Sequence, residues 1–139
     1  MRKAFSVSAY VRFKGTILLV NHVKQAAWVP IGGEIEVNET PLEALVREVK
    51  EEIGWTYSED YTLQASREPG FPPGLLGYEE HDARSKGWHM NFAFLVQSKG
   101  RHVEPCKEFT NIAWVRTPDY VDPVPENVRY LVRKALAYI

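Results

Sequence analysis

The sequence predicts an α/β fold, a β-sheet with a helix available for each of its faces, and three observations carry that reading. Apolar side chains alternate through Phe5, Val7, Ala9, Val11 and Phe13, which is the period of a strand. One long stretch ending at Ile53 repeats its apolar residues at helical spacing, and a second does so near the end of the chain. Further strand-like runs precede and separate these two, so the order is strands, helix, strands, helix.

Taken in order, the first strand stops at a Lys14-Gly15 turn, and the compact run from Thr16 to Val20 completes a hairpin. Trp28-Val29-Pro30-Ile31 leads into Gly32-Gly33, read here as a loop that brings backbone close to a ligand. Thr40-Pro41-Leu42-Glu43 then supplies a threonine cap, a proline at the first helical position and a glutamate at the third, the signature of a capping box. Leu42, Leu45, Val46, Val49 and Ile53 form one apolar face, and Gly54 stops the helix. A short strand-like stretch at 61–65 precedes a long loop from Ser66 to Gly87, punctuated by Pro69, Gly70, Pro72, Pro73, Gly74 and Gly77. Loops of that length in compact domains commonly serve as lids or binding loops. Trp88 to Gln97 reads as a strong strand with Met90, Phe92 and Phe94 on one face, and Phe109 to Val115 as another. Pro125 and Glu126 open the closing helix, striped by Val128, Leu131, Val132, Ala135 and Leu136.

With 139 residues, 45% of them hydrophobic and 25% charged, the chain reads as one soluble globular domain over 1–139. A net charge of −1 gives no global pull toward nucleic acid or an anionic membrane, and no apolar run approaches the length of a membrane span. Arg2 and Lys3 precede a strand pattern rather than the apolar segment of a secretory signal. The single cysteine, Cys106, sits between Pro105 and Lys107 in an expected turn; it excludes an internal disulfide and fits a reducing cytoplasm.

The helix from Pro41 crowds Glu48, Glu51 and Glu52 onto the flank beside its apolar face. Like charges at such spacing cost a helix a few tenths of a kcal/mol per pair. A solvated acidic face would tolerate that cost, whereas a bound cation would offset it. Clustered oxygen ligands are what Mg²⁺ requires when water and phosphate fill its other positions.

Residues 33–55 resemble the Nudix box, G-x5-E-x7-R-E-U-x-E-E-x-G-U with U bulky and apolar. Gly33, Glu39, Arg47, Glu48, Glu51, Glu52 and Gly54 supply its fixed identities, and Val49 and Trp55 its apolar places. Seven such identities at ordinary residue frequencies arise by chance on the order of once in a hundred million starting positions. The resemblance implies a Nudix α/β/α sandwich, with a mixed central sheet flanked by helices. It also implies hydrolysis of a diphosphate linkage in a nucleoside diphosphate derivative, with Mg²⁺ or, in its place, Mn²⁺. Carried over by position, Glu48, Glu51 and Glu52 with the Gly32 carbonyl are the expected metal ligands. Arg47 and Glu39 are the pair expected to orient them, although an ordinary helix ion pair would also explain Arg47. Many relatives read Pro-Gly-Gly before the box, whereas this chain reads Pro30-Ile31-Gly32-Gly33.

A general base is expected from the box or from Glu79, Glu80, Asp82, Glu104 or Glu108. His22, His81, His89 and His102 show no zinc spacing with cysteine. Trp28, Phe92 and Phe94 are candidates to stack on a base, and equally candidates for the core. Residues 67–72 are a candidate lid. Some ADP-ribose-cleaving relatives carry a proline about 15 residues past the box, which Pro69 and Pro72 bracket; features resembling the coenzyme A or NADH subgroups are missing. The short chain, with no extra N-terminal domain expected, favours a nucleoside triphosphate as substrate, cleaved to monophosphate and pyrophosphate, with ADP-ribose or a nucleotide sugar as the alternative. A non-catalytic nucleotide sensor is the reading from another class, and the intact set of box glutamates speaks against it. An RNA-processing enzyme would call for a basic groove that the composition does not advertise. No membrane or nucleic-acid partner is expected, and the chain is expected to be a monomer or homodimer.

Overall fold

The computed structural model describes residues 1–22, 26–104 and 106–139. In chain order the strands and helices are β1 (Lys3–Phe13), β2 (Thr16–His22), β3 (Ala27–Val29), β4 (Ile31–Glu34), α1 (Pro41–Ile53), β5 (Tyr61–Thr62), β6 (Leu75–Asp82), β7 (Trp88–Ser98), β8 (Phe109–Val115) and α2 (Glu126–Ala137). Single turns of 3₁₀ helix at Arg84–Lys86 and Pro118–Tyr120 complete the order. The mixed sheet between two helices is the architecture the sequence predicts.

β1 is its axis. It runs parallel to β7 from Lys3↔Trp88 to Arg12↔Gln97 and antiparallel to β2 at the hairpin. That hairpin turns on Lys14 and Gly15, both with positive φ (46° and 75°), as a two-residue connection matched to strand twist requires. Beyond the hairpin the sheet divides. β2 leaves β1 and pairs with β8 and β3, while β4 pairs with β1 from Ser6↔Glu34 to Ala9↔Ile31. Gly32 and Gly33 thus lie in a strand and not in the expected loop.

One core lies on the α1 side, built from Val7, Val11, Leu18, Val20, Leu45, Val49, Ile53 and Phe94. The other lies on the α2 side, built from Tyr10, Ile17, Leu19, Leu95, Val115, Leu131 and Val132. The alternation of β1 and β2 feeds both cores. Arg12 ties α2 to the sheet, its Nη1 donating to the carbonyls of Ala135 (2.7 Å) and Tyr138 (2.6 Å), a cation placed where a helix C-terminus favours one.

The stretch from Ser66 to Gly87 is not one long loop: β6 occupies its second half, antiparallel on β7 from Leu75↔Phe94 to Asp82↔Trp88. Tyr78-Glu79-Glu80-His81-Asp82 has no apolar alternation to reveal a strand, and its order comes from hydrogen bonds along β7. The strand-like stretch at 61–65 shortens to β5. Pro105 lies outside the described residues, while Cys106 is half-buried against the α1-side core and its Sγ accepts from the Glu108 N–H at 3.4 Å.

Candidate active site

Two caps and one apolar face fix how α1 presents its carboxylates. The Thr40 hydroxyl accepts from the Glu43 N–H (3.1 Å), and the Glu43 carboxylate accepts from the Thr40 N–H (2.9 Å). At the far end Gly54 takes φ 76° and donates to the Lys50 carbonyl at 3.0 Å. Leu45, Val49 and Ile53 are buried, each contributing about 1.5–3 kcal/mol, so the roll of the helix is set. Glu48 and Glu52 then rise from the flank beside β4, with Glu51 further out. Their side chains differ sharply: Glu48 is 14% exposed and Glu51 59%, and Glu52 is buried.

Arg47 organises this flank. Its guanidinium grips Glu39 with two bonds, Nε to Oε2 at 2.7 Å and Nη2 to Oε1 at 2.9 Å. The remaining donors reach Glu48 (2.8 Å), Glu51 (3.2 Å) and the Glu34 carbonyl (3.0 Å). Glu39 also accepts the Glu36 N–H at 2.9 Å. The helix and the preceding loop are thereby stapled together, and Arg47 holds the Glu39 carboxyl below its ordinary range. Far more than an i,i+4 helix pair is present.

Glu52 is the unusual group. Its Oε2 accepts from the Gly32 N–H at 2.9 Å, yet burial, opposed by that bond and reinforced by Glu48 and Glu108, pushes its pKa up to about 9. Burial likewise raises Glu48, against the pull of Arg47. Both glycines matter for packing. A Cβ on Gly32 would overlap the backbone of Val7 and Ser8, and one on Gly33 would overlap the Glu48 carboxylate. Among the described residues no three acidic or histidine side chains converge on one point as a complete ligand set, because Arg47 holds Glu48 and Glu51 while Gly32 holds Glu52. The donor chemistry nonetheless fits a hard divalent cation: half-desolvated carboxylates that repel one another are stabilised in the ionised form by positive charge.

A cavity of about 180 Å³ opens where the sheet divides, and Gly32, Gly33 and Glu52 are among the residues that line it. Val20, Ala27, Val29 and Phe109 line one part of it, and Ser6, Ser8, Glu79, His81, His89 and Asn91 another. Glu108, at the entry to β8, lines it too and acts on both Glu48 and Glu52.

Trp28 and Phe92 are not among the residues that line this cavity. On β3, Ala27 and Val29 face the cavity, so strand alternation turns Trp28 toward the α2-side core. Phe92 lies against Phe5 and Tyr78, at 6.0 and 5.3 Å between ring centroids, and Phe94 is core. Glu80 bonds Tyr78 and Trp88 away from the cavity, and Glu104 is exposed beside His102. Residues 66–68, Phe71 and Pro72 line a separate depression with Leu95 and Tyr138, so this stretch is no lid over the cavity. The polar row on β1, β6 and β7 escaped the sequence reading apart from Glu79. Its one signal was polar residues at alternate strand positions, Ser6 and Ser8, Glu79 and His81, His89 and Asn91, legible only once the strands are in register.

The model of the NUDIX domain matches residues 2–135. The chain belongs to the NUDIX domain family. Over 53 residues it is 42% identical to an RNA pyrophosphohydrolase from Halorhodospira halophila, a match spanning 38% of this chain and only 29% of that protein. A hydrolase of the NUDIX family from Clostridium perfringens superposes with a TM-score of 0.82 at 25% identity, covering 98% of this chain and 97% of the other. An ADP-ribose pyrophosphatase from Streptococcus suis shares the fold, with a TM-score of 0.68 at 19% identity over 96% and 89% of the two chains. Among the described residues no helix is long and apolar enough to cross a membrane.

Proposed function

We propose that this chain is a Mg²⁺-dependent pyrophosphohydrolase that cleaves a diphosphate linkage in a nucleotide, foremost a nucleoside triphosphate to monophosphate and pyrophosphate. The observation that carries the reading is Glu52. It is a carboxylate buried beside two others in the wall of the cavity, costly unless a cation offsets the charge. Glu48, Glu51, Glu52 and the Gly32 carbonyl would hold the ion. When bound, Mg²⁺ polarises phosphoryl oxygens and acidifies water. Arg47 and Glu39 keep the carboxylates oriented toward the β4 edge, a supporting role that sets ligand geometry. Of the five carboxylates considered outside the box, Glu108 acts on both Glu48 and Glu52, and we assign it to accept the proton of the attacking water. The cytoplasmic reading rests on the lone Cys106.

Support for a triphosphate over ADP-ribose comes from residues 66–72, which lie away from the cavity and offer it no proline-bearing loop. The test is a panel of nucleoside triphosphates, nucleotide sugars and dinucleotides with Mg²⁺, products identified. Glu52→Gln is expected to lower kcat by at least about 100-fold while the circular dichroism spectrum stays that of the parent. Parent-level phosphate release by the folded variant defeats the assignment. Tight binding of a nucleotide without turnover by the parent protein favours the sensor reading.

A further inference from the structure

The part of the cavity lined by Ser6, Ser8, Glu79, His81, His89 and Asn91 has a chemistry of its own, and strand register builds it. Ser6 lies opposite Asn91, which lies opposite Glu79, and the neighbouring row sets His89 opposite His81. Ser6 Oγ donates to Asn91 Oδ1 and Asn91 Nδ2 donates to Ser8 Oγ, both at 2.9 Å and all three residues buried. Asn91 is therefore held rigidly and has its carbonyl engaged.

The histidines are polarised by their partners. His81 Nδ1 sits 2.9 and 3.0 Å from the two oxygens of Glu79, and His89 Nε2 sits 3.2 Å from Glu34. A carboxylate only accepts, so the ring nitrogen facing it carries the hydrogen and the other nitrogen of a neutral imidazole is an acceptor. Asn127 Nδ2 donates to Glu79 Oε1 at 3.2 Å, which leaves that carboxylate further lone pairs. This part of the cavity thus offers mainly acceptors. Val20, Ala27, Val29 and Val128 supply apolar surface for a flat ring. The lysine and arginine among the described lining residues, Lys86 and Arg84, stand on the exposed 3₁₀ turn. A phosphate seated beside Glu79 would face a carboxylate of like charge.

We propose that this part of the cavity recognises a ring bearing two adjacent donors, a ring N–H beside an exocyclic amino group, with Glu79 as the accepting, specificity-determining residue. Guanine carries that edge, and so does a pterin. Uracil and thymine would turn carbonyls toward acceptors, while adenine and cytosine set a bare ring nitrogen next to their amino group. The proposal rests on the hydrolase reading for the orientation of the phosphates, which then lie toward Glu52.

The test compares kcat/KM with Mg²⁺ for GTP, ITP, ATP, CTP, UTP and dihydroneopterin triphosphate. GTP or the pterin compound is expected to exceed UTP by about tenfold or more, as a charge-assisted donor pair implies. ITP, which keeps the ring N–H and lacks the amino group, is expected to fall between. In Glu79→Gln the GTP-to-UTP ratio is expected to drop by about tenfold. An unchanged ratio, whatever the absolute loss, overturns the assignment, as does a preference for UTP, ATP or CTP in the parent protein. Calorimetric binding of GMP and UMP to the parent protein supplies a readout independent of turnover and of the variant's folding. Tighter binding of GMP with no cleavage of any nucleotide defeats the hydrolase reading and leaves the base recognition standing. Cleavage of all triphosphates alike, with GMP and UMP bound equally, does the reverse. The ratio of pterin to guanine turnover identifies which source of the shared edge is used.

Discussion

Arg47 engages each of its five N–H donors: two on Glu39, one each on Glu48 and Glu51, and one on the Glu34 carbonyl. Only a planar guanidinium presents that many donors in a fixed fork. Arg47→Lys keeps the charge and loses the fork, so kcat/KM is expected to fall about 10–100-fold. Urea denaturation of the same variant is expected to show a loss of about 1–3 kcal/mol; unchanged kinetics would refute the orienting role. Glu34 gives a pH-dependent counterpart. Its pKa drops to about 2, chiefly through the hydrogen bonds from Arg2 (2.6 and 2.7 Å), with His89 assisting. The folded value lies below the ordinary 4.5, so the stabilisation is present above pH 4.5 and fades as the pH falls toward 2. Because Arg2 is 56% exposed, solvent screening keeps the contribution small. In Arg2→Ala, urea midpoints between pH 5 and pH 2 are expected to decline less steeply than in the parent.

Among the elements, α1 was legible nearly to the residue, because caps and apolar spacing are local signals. The sequence nominated its apolar face and Glu52 as a ligand, but not the burial of Glu52, which depends on β4 lying across it. Thr40→Ala removes the capping box and is expected to cost about 1 kcal/mol. Gly54→Ala forces a Cβ into a left-handed cap and is expected to cost a similar amount. Each should lower Tm by about 3 °C in a chain of this size, with kcat at 25 °C retained. Gly33→Ala works through another route. Its Cβ would displace the Glu48 carboxylate, so an activity loss of about tenfold or more is expected at small cost in Tm. Calorimetry and kinetics on the three variants separate the two effects. β6 shows the opposite case: a polar strand carries no hydrophobic period, and pairing with β7 alone gives it order.

For the whole molecule, the decisive event is the division of the sheet, where β2 and β3 part from β1 and β4 and leave the cavity between them. Saturating Mg²⁺ is expected to raise the Tm of the parent protein by mass action, and to raise that of Glu52→Gln much less; equal shifts would mean the ion binds elsewhere. The sequence by itself determined the family, both helices, the hairpin and the acidic flank, because each is written in short-range spacing. It left Trp28 and Phe92 open between base stacking and the core, and read the stretch from Ser66 to Gly87 as one loop, because which face a strand residue takes, and what it meets there, depends on partners far along the chain. Only the tertiary structure decided that Glu52 is buried, that Glu108 stands near it, and that Ser6, Asn91 and Glu79 share one row. Those are consequences of strand register, which brings together residues as much as 85 positions apart and which no local pattern encodes.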